Sequence, residues 1–385
     1  MNAIETTTST DKLELIRPLY KSAPNPGESL EIAPGLWWLR LPLSSMLDHI
    51  NVYVLESKDG WTLVDTGSNT PICRAALETA FSQGALARLP LTHVIGTHYH
   101  PDHIGLAGWL VDSPFLLYET LRERNAPRWQ SLSERRTERL CQRGAIFQTT
   151  RTCWLQARLL QMDSHDLPRD EELKFVRAAG MKGMELAAFL RRAPSDFSSL
   201  VTPIPASYQR IQQGDVLKIG DRNWTIHIGN GHAAEHATLW SDDGFVITGD
   251  QILPGMSSNL SVHPSEPDAD LVSEWLESCH RFAQLATSET VCLPGHNIPF
   301  RGVATRCHQL IANQSAALNR LLEHLARPHT AIDCLDAVYR RQLQSYERNT
   351  TIAEIYGFLN HLYLRGEIKR ELAGDMSYLW YQNKS

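Results

Sequence analysis

Four potential metal-binding side chains lie within six residues, about a quarter of the way along the chain. The run Thr97–Gly105 reads T-H-Y-H-P-D-H-I-G and contains His98, His100, Asp102 and His103. Imidazole nitrogens suit zinc, iron and other first-row ions, and a carboxylate suits a second, harder ion. This H-x-H-x-D-H spacing differs from the H-E-x-x-H of a single-zinc helix, and on one helix the side chains would scatter around the axis. The spacing therefore predicts a strand end that leads through a loop into a helix start.

Further candidate ligands follow short apolar runs that close with a glycine. They are His232, Asp250 and His296. A strand gives such a ligand a rigid base, and the glycine lets the chain turn steeply. With the first cluster these residues make seven donors, which is enough for two ions that share one ligand. Strand-like patterns at residues 36–41, 50–55, 61–65 and 92–96, with a helical pattern from Pro71 to about Gln83 between the last two, fit an α/β layered fold.

The order of these motifs resembles that of the metallo-β-lactamase superfamily, and more narrowly that of its glyoxalase-II-like hydrolases. The series begins with L-V-D-T-G at Leu63–Gly67, continues through the histidine cluster, and ends with the glycine-ligand pairs before residue 300. The resemblance implies a four-layer αββα sandwich with two sheets packed face to face. The ligand sets that it implies are His98, His100 and His232 for one ion, Asp102, His103 and His296 for the other, and Asp250 as the bridge.

Other residues near these motifs are candidates for supporting roles. By the resemblance, Asp65 orients a ligand histidine or the loop that carries it, although it could instead cap a turn in D-T-G. In G-H-A-A-E-H the family pattern favours His232 as the ligand over His236. His236 then lies behind the ligands, beside the substrate, or serves only the structure. Tyr99 could protonate or orient a leaving oxygen. The scattered histidines, such as His49, are interpreted as structural unless the pocket reaches them.

Changes in sequence pattern divide the 385 residues into a central domain with additions. Residues 1–30 form a polar lead-in, and residues 31–303 form the catalytic domain. Within it, residues 108–207 are predicted to be a helical insertion, with helices over Glu134–Met162 and Asp170–Arg192. We expect this insertion to lie beside the metal site as a lid and substrate wall, as a dimerisation element, or as both.

Residues 304–385 are predicted to form three helices and a hairpin, which resembles a winged-helix module. The helices are Thr305–Ala326, Ala331–Leu343 and Thr351–Arg365, the last capped by Thr350. Gly366 ends the third helix, and the hairpin follows. Because no basic tract stands out, a docking or dimer module is favoured over a DNA reader. A separate module of this kind predicts that removal of residues 304–385 leaves the metal site intact, although at a cost in solubility.

Composition limits the partners and the location. The net charge of −6 gives no general attraction to nucleic acid or to anionic membranes. No apolar run approaches the roughly 18 residues of a membrane span, and the first ten residues lack the features of a secretory signal. The seven cysteines are dispersed and form no C-x-x-C pair, so we expect a reducing, cytoplasmic environment. None of them occupies a ligand position, unlike in β-lactamases with a metal-bound cysteine.

The predicted chemistry is hydrolysis by two divalent ions, with zinc favoured and iron or manganese as alternatives. A bridging hydroxide would attack a carbonyl while one ion stabilises the oxyanion. Asp102 and Asp250 are the catalytic carboxylates, acting as ligands rather than as general bases. The leading substrate is a small-molecule thioester or activated ester, as for acyl-thioesterases, because a thiolate leaves readily. The alternatives are a lactonase, a ribonuclease (which the acidic balance disfavours) and a metal-binding regulatory protein.

Overall fold

The computed structural model describes residues 16–43, 47–112, 145–161, 169–191, 197–339 and 348–383. The strands are β1 (Arg17–Pro18), β2 (Ser29–Ala33), β3 (Leu36–Pro42), β4 (His49–Glu56), β5 (Trp61–Val64), β6 (Leu91–Ile95), β7 (Ile146–Thr149), β8 (Gln209–Arg210), β9 (Val216–Ile219), β10 (Arg222–Gly229), β11 (His236–Ser241), β12 (Phe245–Gly249), β13 (Val291–Pro294), β14 (Phe300–Arg301), β15 (Ile368–Leu372) and β16 (Tyr378–Gln382). The α-helices are α1 (Pro71–Ser82), α2 (Pro101–Ile104), α3 (Ala107–Asp112), α4 (Arg151–Leu159), α5 (Arg169–Ala178), α6 (Gly183–Arg191), α7 (Leu271–Leu285), α8 (Val303–His324), α9 (Leu335–Val338) and α10 (Arg348–Leu364). Short 3-10 helices lie at Leu86–Arg88, Ser198–Leu200 and Ile332–Cys334.

Within these residues the strands form two seven-stranded sheets and a C-terminal hairpin. The first sheet has the order β2-β3-β4-β5-β6-β7-β8, and the second has the order β1-β14-β13-β12-β11-β10-β9. Strands β5 to β8 run parallel to one another, as do β12 and β13. Parallel neighbours end at the same edge of a sheet, so the loops after β5 and β6 lie together, and so do those after β12 and β13.

The two sheets pack face to face, and helices cover their outer faces. Strand β4 illustrates why, because almost every residue in it is buried. Successive side chains of a strand point to opposite faces. Val52 and Val54 therefore pack towards α1, whereas Tyr53 and Leu55 pack against the second sheet. On the far side of the second sheet, its outer face packs against α7, α8 and α10. The result is the four-layer αββα sandwich that the motif order predicts.

The sequence pattern correctly predicts the elements that lead to the first candidate ligands. Strands β3, β4, β5 and β6 form within two residues of their predicted bounds. Helix α1 begins at Pro71 as predicted, because proline suits the first turn of a helix. The Thr70 hydroxyl caps it by accepting a hydrogen bond from the Cys73 N–H at 3.3 Å.

The predicted helical insertion is only partly correct. Residues 113–144 lie outside the described part of the chain, and the predicted helix Glu134–Met162 is wrong at β7. There Phe147 is buried and the strand pairs with β6 in the first sheet, so burial in a parallel sheet overrides helical periodicity. The predicted helix Asp170–Arg192 is broken into α5 and α6. The break contains Gly180, whose φ of 100° strongly favours glycine.

The C-terminal helices and hairpin occur in the predicted order, with corrections at two helices. Helix α10 begins at Arg348, so Thr350 lies inside the helix and not at the predicted position before its first residue. The predicted helix Ala331–Leu343 is a 3-10 turn followed by the short α9, and the chain is extended again at Tyr339. Residues 340–343 lie outside the described residues. The resemblance to a winged-helix module remains a prediction.

The residues after 303 share one hydrophobic core with the second sheet. Leu318 of α8, Tyr356 of α10 and Trp380 of β16 belong to the same buried cluster as Trp275 of α7 and Cys292 of β13. Helix α10 is buried along most of its length, whereas a DNA-recognition helix must present an exposed face. Because the core is shared, deletion of residues 304–385 is expected to expose apolar surface of the second sheet and its helices. This expectation replaces that of a removable module.

Two further properties of the described residues bear on the chain's surroundings. None of their helices combines the length and the apolar character that a bilayer crossing requires. Their six cysteines are buried and form no disulfide. Burial raises the pKa of the Cys153 and Cys334 thiols to about 12 in each case, which keeps these thiols protonated and unreactive.

Candidate metal centre

The histidine cluster lies where the first sheet ends, in the predicted arrangement of strand, loop and helix. Strand β6 ends at Ile95, and α2 begins at Pro101 with Asp102 in its first turn. His98 and His100 lie in the loop between them, and His103 lies within the short helix. The loop therefore directs four donors into one place from a rigid strand end.

The structure brings all seven predicted ligands together in two groups. Within each group the ligand atoms lie within 4.8 Å of one another. One group comprises His98, His100, His232 and Asp250, and the other comprises Asp102, His103 and His296. Asp250 also reaches the second group, because its Oδ1 lies 3.3 Å from His103 Nε2 and 3.4 Å from His296 Nε2. Its Oδ2 lies 3.7 Å from His232 Nε2, so this carboxylate stands between the groups.

Buried polar atoms at the centre of the cluster provide the test of whether metal ions fit. Four of them have no hydrogen-bond partner among the described residues, and they are His103 Nε2, His232 Nε2, His296 Nε2 and Asp250 Oδ1. Buried polar atoms are normally satisfied, so four together call for a common partner. A divalent cation in each group would provide one, and imidazole with carboxylate is a suitable donor set. The residues present therefore fit two metal ions.

Asp65 connects ligands of both groups. Its Oδ2 accepts a hydrogen bond from His103 Nδ1 at 2.7 Å and another from the Thr97 hydroxyl at 2.9 Å. Because that hydroxyl donates to Asp65, its oxygen accepts from His98 Nδ1 at 3.1 Å. The network places the ring protons on Nδ1 and leaves both Nε2 atoms with lone pairs directed at the cluster. Asp65 itself has a φ of 62°, a strained conformation of the kind found at functional sites.

Backbone carbonyls orient two other histidines in the same way. His232 Nδ1 donates to the carbonyl of Asn259 at 2.9 Å, and His296 Nδ1 donates to the carbonyl of His49 at 2.7 Å. In each ring the opposite nitrogen, Nε2, is then free to act as a ligand. His49 thus serves the site through its main chain.

His236 lies behind the ligands and has no exposed surface. Its ring stacks on that of His98, with centroids 4.4 Å apart, and its Nε2 accepts a hydrogen bond from the Asp250 N–H at 3.2 Å. Burial, followed by the neighbouring His232, lowers its pKa well below the ordinary value, as a neutral acceptor requires. This position suits support of Asp250 rather than contact with a substrate.

Tyr99 contacts the cluster through its ring. The ring stands edge-on to His100, with centroids 4.9 Å apart, and packs against the core beneath the first sheet. Burial raises the pKa of its hydroxyl. Among the described residues, no hydrogen bond joins that hydroxyl to a ligand.

Glycines next to the ligands make room for them. A Cβ at Gly295 would lie 2.5 Å from Asp250 Oδ1 and 2.8 Å from His103 Cε1. Gly249 has a φ of 48°, and a Cβ there would lie 2.7 Å from His236 Cε1. The Gly-Asp and Gly-His pairs of the sequence therefore reflect both the turn and the close packing of ligands.

The surroundings of the cluster shift the pKa values of its histidines in two directions. Burial lowers the pKa of His100 to about 3, and it also lowers that of His98. Burial acts in the same direction on His296, but the carboxylates of Asp250 and Asp102 outweigh it and raise the pKa to about 10. The negative field that favours a proton on His296 also favours a divalent cation. Since a histidine ligand must be neutral, metal binding would displace that proton.

Some supporting residues escaped the sequence prediction. The carbonyls of Asn259 and His49 carry no sequence signal, because every residue has one. Asn51 could have been found, since it is a polar residue in the buried strand I-N-V-Y-V. Its side-chain amide donates to the carbonyl of Pro294 at 2.9 Å, and its N–H donates to the carbonyl of Gly295 at 2.7 Å. Asn51 thereby joins the two sheets directly beside His296.

Two described parts of the insertion contact the ligand loops. On one side, the Thr152 N–H donates to the carboxylate of Glu235 at 2.9 Å, three residues beyond His232. On the other, the Thr202 N–H donates to the carbonyl of Gly105 at 2.7 Å, two residues beyond His103. The insertion is therefore hydrogen-bonded to both ligand loops, at Thr152 and at Thr202.

The fold and the cluster define a metal-binding αββα protein, and comparisons with known proteins agree. A family model described as the metallo-beta-lactamase superfamily matches residues 46–120. A beta-lactamase domain protein from Burkholderia ambifaria is 32% identical, with a TM-score of 0.79, over 95% of this chain and 97% of that one. This chain therefore belongs to the metallo-β-lactamase superfamily.

Two more distant similarities extend over nearly the whole length of the other protein. A metallo-beta-lactamase family protein from Thermus thermophilus is 22% identical, with a TM-score of 0.70, over 92% of this chain and 100% of that one. The Bacillus subtilis (strain 168) protein named "Probable metallo-hydrolase YqjP" is 24% identical over 355 residues, which is 88% of this chain and 96% of that protein. The similarity thus includes the C-terminal elements.

Proposed function

We propose that this protein is a metal-dependent hydrolase that cleaves a thioester or an activated ester. The observation that carries the proposal is the convergence of seven histidine and aspartate side chains, four of whose buried polar atoms have no hydrogen-bond partner within the described part of the chain. His98, His100 and His232 would hold one ion, Asp102, His103 and His296 the other, and Asp250 both. Zinc is the first choice, and iron or manganese are compatible with the same donors.

When bound, such ions lower the pKa of coordinated water and polarise a carbonyl group. The protein's own contribution is to keep the ligands in place and in the correct protonation state. Asp65 holds the His103 proton on Nδ1, and through Thr97 it does the same for His98. His236 accepts from the Asp250 N–H and so fixes the backbone of the carboxylate that lies between the two groups. Asp102 and Asp250 act as ligands.

The leaving group favours a thioester over an alkyl ester. A thiolate is stable enough to leave unprotonated, because its conjugate acid has a pKa of roughly 8.5, whereas an alkoxide needs a proton donor. Among the described residues, the polar side chains at the cluster are the candidate ligands and the groups that orient them. The Tyr99 hydroxyl makes no hydrogen bond to the ligands. The resemblance to glyoxalase-II-like hydrolases and acyl-thioesterases supports the same class.

The insertion would form the wall of the acyl-binding site. Thr152 and Thr202 in its described parts are hydrogen-bonded to Glu235 and Gly105 on the two ligand loops. In addition, Phe175 of α5 packs against Tyr356 of α10, with ring centroids 5.0 Å apart. A segment anchored at these points borders the metal centre and can exclude water from it.

The test is hydrolysis of a small panel by the purified protein loaded with zinc. The panel contains acyl-coenzyme-A thioesters, S-lactoylglutathione, an acyl-homoserine lactone and single-stranded RNA. We expect thioester cleavage. Turnover of the lactone or the RNA alone would keep the metal site and overturn the substrate class.

A matched pair of variants separates the metal chemistry from any contaminant. Asp250→Ala removes the carboxylate between the two groups, and we expect lower metal content and no turnover. Asp375→Ala makes the same chemical change in the exposed turn between β15 and β16, and it should behave like the wild type. An Asp250→Ala protein that keeps two ions and full turnover would contradict the assignment of Asp250.

A further inference from the structure

The segment that follows Asp250 is in contact with the candidate ligands. The Ser258 hydroxyl donates to the carbonyl of Asp250, and the carbonyl of Asn259 accepts from His232 Nδ1 at 2.9 Å. Ser258, Leu260 and Val262 are buried, whereas Asn259 between them is exposed. The segment therefore has one face in the core, and its Asn259 carbonyl contacts a candidate ligand.

Helix α10 holds this segment through side-chain and main-chain contacts. Glu354 Oε1 accepts a hydrogen bond from the Leu260 N–H at 3.3 Å, and the Val262 N–H donates to the carbonyl of Ala353 at 3.3 Å. A Cβ at Gly357 would lie only 3.1 Å from the Leu260 carbonyl oxygen. The helix backbone can therefore approach the segment closely because position 357 has no side chain.

The Leu260 N–H and the Asn259 carbonyl belong to the same peptide unit. A peptide unit is planar and rotates as one body, so a hydrogen bond at one side restricts the direction of the other. Glu354 binds the N–H side of this unit, and His232 binds its carbonyl side. The orientation of the His232 ring is thus connected to Glu354 through a single rigid group.

Other C-terminal side chains hold the same region at both of its ends. Arg306 of α8 donates to the carbonyl of Leu253 at 2.6 Å and to that of Met256 at 2.8 Å. Asn360 of α10 donates to the carbonyl of Pro267 at 2.5 Å. The position of the segment between these points therefore depends on the helices that follow the catalytic domain.

We propose that Glu354 is a positioning residue for the metal ion that His98, His100 and His232 would hold. It fixes the 259–260 peptide, which keeps the His232 proton on Nδ1 and presents Nε2 to the ion. The inference rests on the proposed function, since it concerns one of the ions assigned there. It assigns the C-terminal helices a part in metal binding that the sequence motifs do not indicate.

The test measures cobalt(II) binding to the full chain by absorbance titration and chelator competition, together with the thermal unfolding temperature. Glu354→Leu leaves the Leu260 N–H without its acceptor, whereas Glu354→Gln keeps a carbonyl oxygen for it. The matched control is Leu362→Ala, which removes buried apolar volume two turns further along α10 without altering the contact to Leu260.

We expect Glu354→Leu to weaken the binding of one of the two ions about tenfold, the lower end of the range for supports of a metal ligand. The second ion should bind as in the wild type. Glu354→Gln should retain both affinities, and Leu362→Ala should lose thermal stability but not metal affinity. Turnover of a loaded enzyme is not needed for this comparison.

Two outcomes overturn the inference, and they are distinguishable. Equal cobalt binding by Glu354→Leu and Leu362→Ala would show that Glu354 has only a structural role. A wild-type protein that binds no ion would refute the proposed function and this inference with it. If Glu354→Leu does not fold, Glu354→Asp, whose carboxyl group is one methylene further from Leu260, replaces it with the same expected loss.

Discussion

Replacing Asp65 with asparagine should weaken metal binding although it changes the side-chain shape very little. Asparagine tolerates the left-handed φ of 62° found at this position, so the change tests hydrogen bonding rather than backbone strain. Its oxygen can replace Oδ1 and accept from the Thr97 N–H, as Asp65 does at 2.8 Å. Its amide group then faces His103 Nδ1, from which the carboxylate of Asp65 accepts a hydrogen bond at 2.7 Å.

In the variant, the side-chain amide N–H and the His103 Nδ1–H are two donors that face each other, so they cannot form a hydrogen bond. Either the hydrogen bond is lost or the ring adopts the other tautomer, with its proton on the Nε2 atom that faces the cluster. Both oppose metal binding. Loss of such a support costs 10- to 100-fold in affinity, which is about 1.4 to 2.7 kcal/mol. Because Asp65 also supports His98 through Thr97, we expect both ions to be affected, the one at His103 more strongly.

The assay is competition for zinc between the protein and a chromophoric chelator, with nitrogen-15 NMR to identify the histidine tautomers. The control is Asp243→Asn, which makes the same chemical change at an exposed turn where Asp243 pairs with Arg222 at 2.7 Å. Wild-type affinity for both ions in Asp65→Asn, with the variant folded, would refute the argument that Asp65 fixes the ligand tautomers.

Four other predictions concern the metal centre and the shared core. Gly295→Ala should lower the free energy of unfolding by about 1 to 3 kcal/mol and displace metal, because its Cβ would lie 2.5 Å from Asp250 Oδ1. The control is Gly374→Ala, whose Cβ would have no atom within 4 Å, and it should change neither the denaturation curve nor the metal content. His296 has a pKa of about 10 before an ion binds, so an ion must displace its proton. Zinc affinity should therefore fall about tenfold for each unit by which the pH is lowered, for each proton displaced, and a pH dye should detect the protons released on binding. In protein stripped of metal by a chelator, the raised pKa of His296 stabilises the fold fully at pH values below the pKa of unfolded histidine, roughly 6.5. This stabilisation is lost as the pH rises towards 10, so the unfolding temperature should fall over that range. A rise in the unfolding temperature would contradict this prediction. Deletion of residues 304–385 should give an insoluble or unfolded fragment, because it uncovers the core around Trp275, and a soluble fragment that binds zinc would contradict this.

The candidate ligands could be predicted because each one is marked by its own local sequence. A short apolar strand, a glycine and a ligand recur at Asp250 and His296, and the structure places these donors beside the histidine cluster. The glycine in each pair has a physical reason, since a side chain at position 295 would occupy the space of Asp250. Local patterns of this kind predict both the strands and the ligand residues that follow them.

The remaining features depend on partners that are distant in the sequence. Ile146–Thr149 was predicted as helix because its neighbours have helical periodicity, and it forms β7 because β6 provides a parallel partner some fifty residues earlier. The carbonyl of Asn259 orients His232 by its position alone. The sequence of the C-terminal helices does not indicate that they pack on the second sheet. Long-range packing decided each of these cases.

Metal analysis of the purified protein tests the central claim most directly. The protein would be stripped with a chelator, dialysed against a small excess of zinc, cobalt, manganese or iron(II), and examined by elemental analysis. The account predicts about two ions per chain for at least one of these metals, and fewer for Asp250→Ala. A folded protein that retains none of them would contradict the metal centre itself.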